Sequence, residues 1–169
     1  MSATKTTPNI LESKAIIRFQ HCDPFNHLNN AEYLNYLVNA REDQLIEYYD
    51  IDIYEMGRSE GKSWVVASNQ IAYLRPAFAM EEVVIQSQLL GFDDTSLMVE
   101  LRMYNRDRTK VKAVMWSNYV HFNLIEQKRE KQQAEMLALF TEVAAPVDEK
   151  HFEERVAHWK AFNSRGSGL

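Results

Sequence analysis

The sequence predicts a single α+β domain in which one long helix packs against an antiparallel β-sheet. The chain has 169 residues, enough for one domain with its own core and too few for two of usual size. The longest helical pattern covers residues 31–49, and four strand-like segments follow it without another clear helix. Hydrophobic residues make up 46% and charged residues 25% of the chain, which is typical of a soluble globular protein.

The first elements are a strand and the long helix. The segment at 14–21, KAIIRFQH, is rich enough in β-branched and aromatic residues to predict a strand. The next segment, CDPFNHLNN, predicts a loop because it contains a proline and three asparagines. In the long helix, residues recur at spacings of three and four: Leu34, Leu37, Val38, Arg41, Leu45 and Tyr48. Asn29, three residues before Glu32, resembles a capping box at the helix start.

The remaining elements are predicted from alternation and turn residues. After a loop around Gly57 and Gly61, strands are expected at 64–74, 82–91, 96–105 and 110–124, in the order of an antiparallel meander. Asp93–Asp94 and Asp107–Arg108 fall where hairpin turns are needed. Two further helices are expected at 126–141 and 148–162, separated by Pro146.

The predicted domain organisation has three parts. Residues 1–9 are small and polar and are expected to be a disordered lead-in. Residues 10–125 form the main domain, and residues 126–169 form a C-terminal helical extension packed on the same domain.

Composition restricts the function classes. The net charge of -5 argues against nonspecific nucleic-acid binding, which needs an electropositive face. The start of the chain has no apolar run that would make a secretory signal, and no stretch reaches the ~18 apolar residues of a membrane span. Cys22 is the single cysteine, so no internal disulfide can form. We therefore expect a cytoplasmic protein that binds neither nucleic acid nor membrane.

The densest set of polar functional groups lies at residues 18–37, where the first strand gives way to the long helix. Pro24 biases Asp23 towards extended backbone at the end of the strand. The backbone N–H groups of residues 29–31 have no intrahelical acceptor, and the helix dipole favours negative charge beside them. A carboxylate next to such a helix end suits acyl transfer.

These residues carry a resemblance to a known family. The segments CDP at 22–24, HLNN at 27–30 and AEYL at 31–34, together with IAYLRP at 71–76, resemble motifs of the hotdog-fold thioesterases, specifically the 4-hydroxybenzoyl-CoA thioesterase-like branch. The resemblance implies a hotdog fold, in which a curved antiparallel sheet wraps around the helix at 31–49. It also implies an obligate homodimer with active sites at the interface, which could double to a homotetramer.

The resemblance further implies hydrolysis of an acyl-CoA thioester to a free acid and CoA. Asp23 would be the nucleophile or the general base, and the N–H of Asn30 would polarise the thioester carbonyl. His27 would orient Asp23 or a water molecule, although a loop histidine bonded to backbone explains it equally well. The remaining substrate-binding residues would be Asn29, Tyr33 and Arg75. No cofactor or metal is expected.

Two departures from the family pattern are visible. Asn26 stands where the family often has glycine, which bears on the loop geometry. Residues 93–96, DDTS, stand where several relatives have basic residues that reach the CoA phosphates. Phosphate contacts are therefore expected from other basic residues, with four candidates: Arg75, Arg106, Arg108 and Lys110.

Several alternatives stay open at this point. Glu42 or Glu47 could supply the carboxylate, since some hotdog thioesterases use one from the helix. A metal site is disfavoured because His21 and Cys22, as strand neighbours, would point to opposite faces. The fold could also serve as a non-catalytic acyl-CoA sensor, or act on acyl carrier protein. The identity of the acyl group is not fixed by the sequence.

Overall fold

The computed structural model describes residues 7–165. The strands are β1 (Ile10–Ile16), β2 (Lys62–Tyr73), β3 (Glu82–Phe92), β4 (Ser96–Asn105), β5 (Val111–Asn123) and the short β6 (Lys128–Arg129). The α-helices are α1 (Asn30–Tyr49), α2 (Ile53–Glu60), α3 (Ala134–Val143) and α4 (Phe152–Arg165). Among the described residues, no helix is both long enough and apolar enough to cross a membrane.

The strands form one curved antiparallel sheet in the order β1-β3-β4-β5-β2, with β6 added to β5. Strands β3, β4 and β5 form the predicted meander, but the prediction was wrong for β2. This strand pairs with β5, not with β3, because β1 already occupies the free edge of β3, from Ile10 opposite Gln88 to Ile16 opposite Glu82. The chain therefore crosses the sheet between β2 and β3.

The long helix α1 lies against the inner face of the sheet and forms the main core with it. Leu37 and Tyr33 of the helix are buried there with side chains from the central strands: Ile85, Val99, Leu101, Met103 and Met115. The sequence of β4 alternates and predicts one apolar face with Leu97, Val99, Leu101 and Met103, and all four belong to this core. The other face of β4 carries Glu100, Arg102 and Tyr104, which are also buried.

Helix α4 covers the outer face of the sheet. Its Phe152 and Trp159 pack in a second apolar cluster with Val84, Tyr104 and Trp116. Beside this cluster, Arg155 of α4 donates hydrogen bonds from Nε and Nη2 to the buried carboxylate of Glu100, at 2.7 and 2.9 Å. Both faces of the sheet are therefore covered by helices.

The first strand begins and ends earlier than predicted, at Ile10 and Ile16 in place of residues 14 and 21. β1 ends at Ile16, where its partner β3 begins, and the segment Phe19–His21 forms a single 3-10 turn. Of the predicted lead-in, residues 1–6 lie outside the described residues. The carbonyl of Pro8 accepts a hydrogen bond from the hydroxyl of Tyr49 at 2.6 Å.

Two other segments differ from prediction. The expected loop around Gly57 contains helix α2, because the side chain of Asp52 accepts from the N–H groups of Tyr54 and Glu55 and caps the helix start. Residues 126–133 are not helical, since the chain turns back along β5 to form β6, and the N–H of Glu130 donates to the carbonyl of His121.

Candidate active site

Asp23 lies in a tight loop whose backbone N–H groups bond to its side chain. The N–H of Asp23 donates to the carbonyl of His27 at 2.7 Å. In return, Oδ1 of Asp23 accepts from the N–H groups of Phe25 at 2.8 Å and His27 at 3.1 Å. Among the described residues, Oδ2 of Asp23 has no hydrogen-bond partner. One carboxylate oxygen is therefore held in place while the other is available for chemistry.

The loop requires one residue with left-handed backbone. Asn26 has φ 65°, a conformation that glycine adopts without strain and that asparagine tolerates better than most other residues. The N–H of Asn26 donates to the carbonyl of Asp23 at 3.0 Å, which completes the turn. Asparagine in place of the glycine expected from the resemblance is therefore compatible with this loop.

The start of α1 leaves one backbone donor free. Asn29 is the N-cap residue, and its Oδ1 accepts from the N–H of Ala31 at 3.0 Å. The N–H of Asn29 donates to the carbonyl of His21 at 3.0 Å. Within residues 7–165, the N–H of Asn30 has no acceptor. Of the three amides singled out from the sequence, only this one is available to a ligand.

The capping box predicted at this helix start was wrong in its second half. The carboxylate of Glu32 does not accept from the N–H of Asn29, which is already bonded to His21. Oε2 of Glu32 accepts instead from Nδ2 of Asn35 at 3.0 Å. The side chain of Asn29 still caps the helix, so the helix begins close to the predicted position.

A cleft of about 260 Å³ opens between this loop, the start of α1 and the end of β2. It is lined by Asp23, His27, Leu28, Asn30, Tyr33, Tyr73, Leu74, Arg75 and Pro76. Five of the six predicted site residues therefore lie in one cleft. The sixth, Asn29, is outside the lining and acts as the helix cap.

His27 and Tyr33 have structural contacts that limit what they can do. The ring of His27 packs edge to face on Phe78, with the ring centroids 5.2 Å apart, and has no hydrogen bond to Asp23 in the described part of the chain. His27 holds Asp23 through its main chain instead. Tyr33 is only 2% exposed, and its hydroxyl accepts from the N–H of Ala77 at 3.0 Å. Tyr33 therefore forms a wall of the cleft.

Tyr73 is a cleft residue that sequence reasoning did not select. Its hydroxyl donates to the carbonyl of Asn30 at 3.0 Å, and its ring packs against Tyr33 with centroids 5.1 Å apart. The bond ties the end of β2 to the first turn of α1. The available signal was its position in IAYLRP, two residues before Arg75, since such neighbours share a face in extended chain.

The four basic residues considered for phosphate binding differ in whether they already have partners within the chain. Arg106 pairs with Glu82 at 3.5 Å, Arg108 pairs with Glu12, and Nζ of Lys110 donates to the carbonyl of Asn163. These cations are engaged within the chain. Arg75 is exposed and lines the cleft, and no carboxylate among the described residues pairs with its guanidinium.

Neither the nearby thiol of Cys22 nor the alternative carboxylates Glu42 and Glu47 are well suited to replace Asp23. Burial and the negative charge of Asp23 raise the pKa of the Cys22 thiol, which disfavours the reactive thiolate. Glu42 is twelve residues into α1, about 18 Å along the axis from the free amide of Asn30. Its Oε1 accepts from the hydroxyl of Tyr54 at 2.8 Å. Glu47 lies still further along the helix and is exposed.

Comparison with known proteins agrees with this architecture. The family model described as "Thioesterase-like superfamily" matches residues 17–159. The long-chain acyl-CoA thioesterase FadM of Escherichia coli is 33% identical over 79 residues, which are 47% of this chain and 58% of FadM. Protein THEM6 of Xenopus laevis is 27% identical over 141 residues, which are 83% of this chain and 62% of THEM6. The chain thus spans less than two thirds of the curated relatives it matches.

A solved structure supports the same conclusion. The crystal structure of YbaW, a probable thioesterase from Escherichia coli, superposes with a TM-score of 0.68 at 25% identity, covering 80% of this chain and 99% of that one. The region matched by the family model contains both the Asp23 loop and the end of β2. The chain therefore belongs to the thioesterase-like superfamily and has the hotdog fold.

Proposed function

We propose that this protein hydrolyses acyl-CoA thioesters in the cleft that holds Asp23 and the free amide of Asn30. One observation carries the proposal: Oδ2 of Asp23 and the N–H of Asn30 lie in the same cleft. Among the described residues, neither group has a hydrogen-bond partner. The first can act on a carbonyl carbon, and the second can stabilise the negative charge that develops on the carbonyl oxygen. The similarity to FadM, a long-chain acyl-CoA thioesterase, supports the choice of substrate class.

The mechanism assigns one role to each group. The N–H of Asn30, at the positive end of the α1 dipole, donates to the thioester oxygen and stabilises the oxyanion. Oδ2 of Asp23 then has one of two roles, as nucleophile or as general base. It attacks the carbonyl carbon, so that the C–S bond breaks and a mixed anhydride is left for water to hydrolyse, or it removes a proton from the attacking water. In both cases CoA leaves as the thiolate and is protonated.

Substitution of Asp23 by asparagine tests the assignment. The amide oxygen of the new side chain can still accept from the N–H groups of Phe25 and His27, so the loop is kept while the negative charge is lost. We expect kcat for a good acyl-CoA to fall by at least ~10², the order expected for loss of a general base. Release of free thiol across a panel of acyl-CoAs measures this. The matched control is Asp43→Asn, at an exposed position of α1.

Retention of near wild-type turnover by Asp23→Asn would show that Asp23 is not the reacting carboxylate. A protein that binds acyl-CoA but releases no thiol, before or after substitution, would be a sensor and not an enzyme. Single-turnover hydrolysis in oxygen-18 water addresses the mechanism, since label incorporated into Asp23 requires the mixed anhydride. Parallel assays with acyl-CoA and acyl carrier protein thioesters identify the carrier.

We further propose that the working unit is a homodimer formed across β2. Within the described ranges of the chain, this strand pairs with β5 on one side only, and residues 65–70 are exposed along its length. An unprotected edge strand is a template for pairing, so a second copy at this edge would satisfy its free backbone groups. The end of β2 also lines the cleft, at Tyr73, and a partner strand at this edge would therefore lie beside the candidate active site.

A further inference from the structure

A second cavity lies beside the middle of α1 and shares no residue with the cleft that holds Asp23. Its volume is about 210 Å³. Nine apolar side chains line it: Val38, Leu45, Ile51, Ile53, Trp64, Val66, Leu97, Val99 and Phe140. Four polar residues complete the lining: Arg41, Glu42, Tyr54 and Tyr119. The cavity is therefore an apolar chamber with a small number of polar groups, which is the usual make-up of a ligand site.

Arg41 is the unusual member of this lining. Its side chain is 8% exposed, and Nη1 donates a single hydrogen bond, to Oγ of Ser87 at 2.9 Å. An arginine has five N–H donors, and the others have no acceptor among residues 7–165. No carboxylate in that range pairs with it. Burial lowers the pKa of Arg41, because water is removed from the cation and no anion replaces it.

The polar groups around Arg41 are already satisfied. Oγ of Ser87 donates to Oε1 of Gln44 at 2.5 Å, and Nε2 of Gln44 donates to Oγ of Ser13 and to the carbonyl of Ile85. This network holds the guanidinium in place but supplies no negative charge.

Glu42 also lines the cavity and keeps its charge, but among the described residues it forms no ion pair with Arg41. Burial raises the pKa of Tyr119, so this residue stays protonated and offers an O–H donor to the cavity. Within the described part of the chain, Arg41 is thus a buried cation without a paired anion, and an anion that enters the cavity has Arg41 and Tyr119 as donors.

We propose that this cavity binds an apolar chain ending in a carboxylate, with the carboxylate paired to Arg41. The apolar walls remove the chain from water, and a guanidinium matches a carboxylate through two parallel hydrogen bonds. Low dielectric strengthens the pair relative to one in water. Two sources share this chemistry: a free fatty acid, and the far end of an acyl thioester made from a dicarboxylic acid. The binding claim does not depend on thioester hydrolysis.

The test is calorimetric titration of the wild-type protein with linear carboxylates from hexanoate to dodecanoate, and with the alcohols of the same chain lengths. The cavity is smaller than the ~300–1,000 Å³ of drug-sized pockets, which is why the series is centred on medium chains. We expect the best carboxylate to bind about tenfold to a hundredfold more tightly than its alcohol, the range for hydrogen bonds to charged groups.

The variant Arg41→Met should abolish that preference, because methionine keeps an apolar stem and loses the charge. Replacement of a buried charge by an apolar residue is often tolerated, and thermal unfolding checks that the variant is folded. The matched control is Arg58→Met, at an exposed arginine of α2, which should bind as wild type does. Equal affinity of wild type for carboxylate and alcohol overturns the proposal, even if Arg41→Met fails to fold. So does wild-type carboxylate affinity in folded Arg41→Met.

A kinetic comparison then identifies the source of the carboxylate. Octanoyl-CoA and suberyl-CoA have eight-carbon acyl groups, and only the second ends in a carboxylate. If Arg41→Met lowers kcat/KM for suberyl-CoA alone, the carboxylate belongs to the substrate. If both thioesters are unaffected and only fatty-acid binding is lost, the ligand is the free acid. Absence of all thioester hydrolysis would contradict the proposed function and leave the calorimetric result unchanged.

Discussion

The N–H group of Asn30 can be removed by substitution with proline without disturbing helix α1, which begins at this residue. Asn30 occupies the first helical position, where proline is favoured because the N–H has no intrahelical partner. The preceding residue, Asn29, has φ -61° and ψ 137°, which are compatible with a following proline. We expect Asn30→Pro to lower kcat by ~10²–10³, the cost of losing one oxyanion donor. Steady-state thioester hydrolysis measures it.

The matched control for this change is Asn30→Ala. It removes the same side chain but keeps the amide, so its turnover should stay close to wild type. Circular dichroism and thermal unfolding establish that both variants keep the helix. Equal activity of the proline and alanine variants would mean that the N–H of Asn30 does not contact the reacting carbonyl.

Arg75 supports a separate prediction about substrate binding. It is exposed in the cleft and unpaired among the described residues, so its charge is available to a phosphate of CoA. We expect Arg75→Met to raise KM several-fold with little change in kcat, because a remote phosphate contact contributes to ground state and transition state alike. The difference from wild type should shrink at high salt.

The control for this prediction is Arg106→Met, since Arg106 is already paired with Glu82. A loss confined to kcat in Arg75→Met, or an equal rise in KM in the control, would argue against a phosphate contact at Arg75. The salt series should be run on both variants.

Sequence reasoning at the residue scale worked where the determinants are local. Pro24 and the helix start at Asn29 lie within seven residues of Asp23, and they were enough to predict that Asp23 and Asn30 lie close together, as they do in one cleft. The bond from Tyr73 to Asn30 could not be predicted, because it depends on how the end of β2 is placed relative to the start of α1 in the folded chain. The way His27 holds Asp23, through its N–H and not its ring, depends on loop geometry that residue types do not specify.

At the scale of elements, helix α4 is tied to the sheet by a buried carboxylate. Glu100 is fully buried and accepts from Arg155, from Nη1 of Arg102 at 2.7 Å and from Nε1 of Trp116 at 2.7 Å. We expect Glu100→Gln to destabilise the protein by about 3–5 kcal/mol, because two buried cations lose their shared anion. Urea unfolding measures the change.

The control for Glu100→Gln is Glu55→Gln, which removes an exposed pair with Arg58 and should leave the free energy of unfolding near the wild-type value. A small effect of Glu100→Gln would show that the apolar contacts of α4 and the hydrogen bonds between Asn163 and Val111 hold the helix without the buried charge.

The same carboxylate predicts a dependence of stability on pH. Burial by itself raises the pKa of Glu100, but the bonds and charges of Arg155, Arg102 and Trp116 outweigh it and lower the pKa below the ordinary value of 4.5. A folded-state pKa below the unfolded one stabilises the protein fully above about pH 4.5, and this contribution is lost as the pH falls through the folded pKa. Acid unfolding of wild type should therefore be steeper than that of Glu100→Gln, as followed by tryptophan fluorescence.

Elements with strong periodicity were predicted well, and those defined by caps or partners were not. The bounds of β3, β4 and β5 agree with prediction to within one residue, since alternation and turn residues mark both ends. Helix α2 was missed because Gly57 suggested a loop, while the decisive signal was the cap at Asp52. The polar run at 126–133 predicts the exposed face of a helix, although pairing with β5 makes part of it a strand.

At the scale of the whole molecule, the exposed edge of β2 predicts the assembly. Ser68 lies in the middle of the exposed stretch 65–70, so in an antiparallel pairing of two β2 strands centred on this stretch a lysine at 68 would lie close to its own copy and meet like charge. We expect Ser68→Lys to shift the protein from dimer to monomer and to lower thioesterase activity with it. Light scattering after size-exclusion chromatography measures the mass.

The matched control is Ala157→Lys, at an exposed position of α4 away from this edge, which should remain dimeric. An unchanged mass for Ser68→Lys would mean that the subunits do not pair through β2. A wild-type protein that is monomeric at assay concentration would exclude the dimer altogether.

The fold class was predictable from the sequence because helix and strand patterns separate cleanly along the chain. The position of β2 was not, since the choice between β3 and β5 as its partner depends on which edge β1 has taken. A pattern of alternation specifies a strand but carries no information about its neighbour. The resemblance in the CDP, HLNN and IAYLRP segments supplied the fold name that periodicity alone could not.

The covering of the outer sheet face by α4 also restricts how two dimers could combine. Val84, Tyr104 and Trp116 are already packed against Phe152 and Trp159, so they cannot stack on another sheet. Four chains would have to meet elsewhere, for example through the solvent side of α4, where Glu153, Glu154 and Lys160 are exposed. A tetramer joined through such charged side chains would dissociate into dimers as ionic strength rises. The dimer formed by pairing of the two β2 strands would persist, because salt does not screen its backbone hydrogen bonds in the same way.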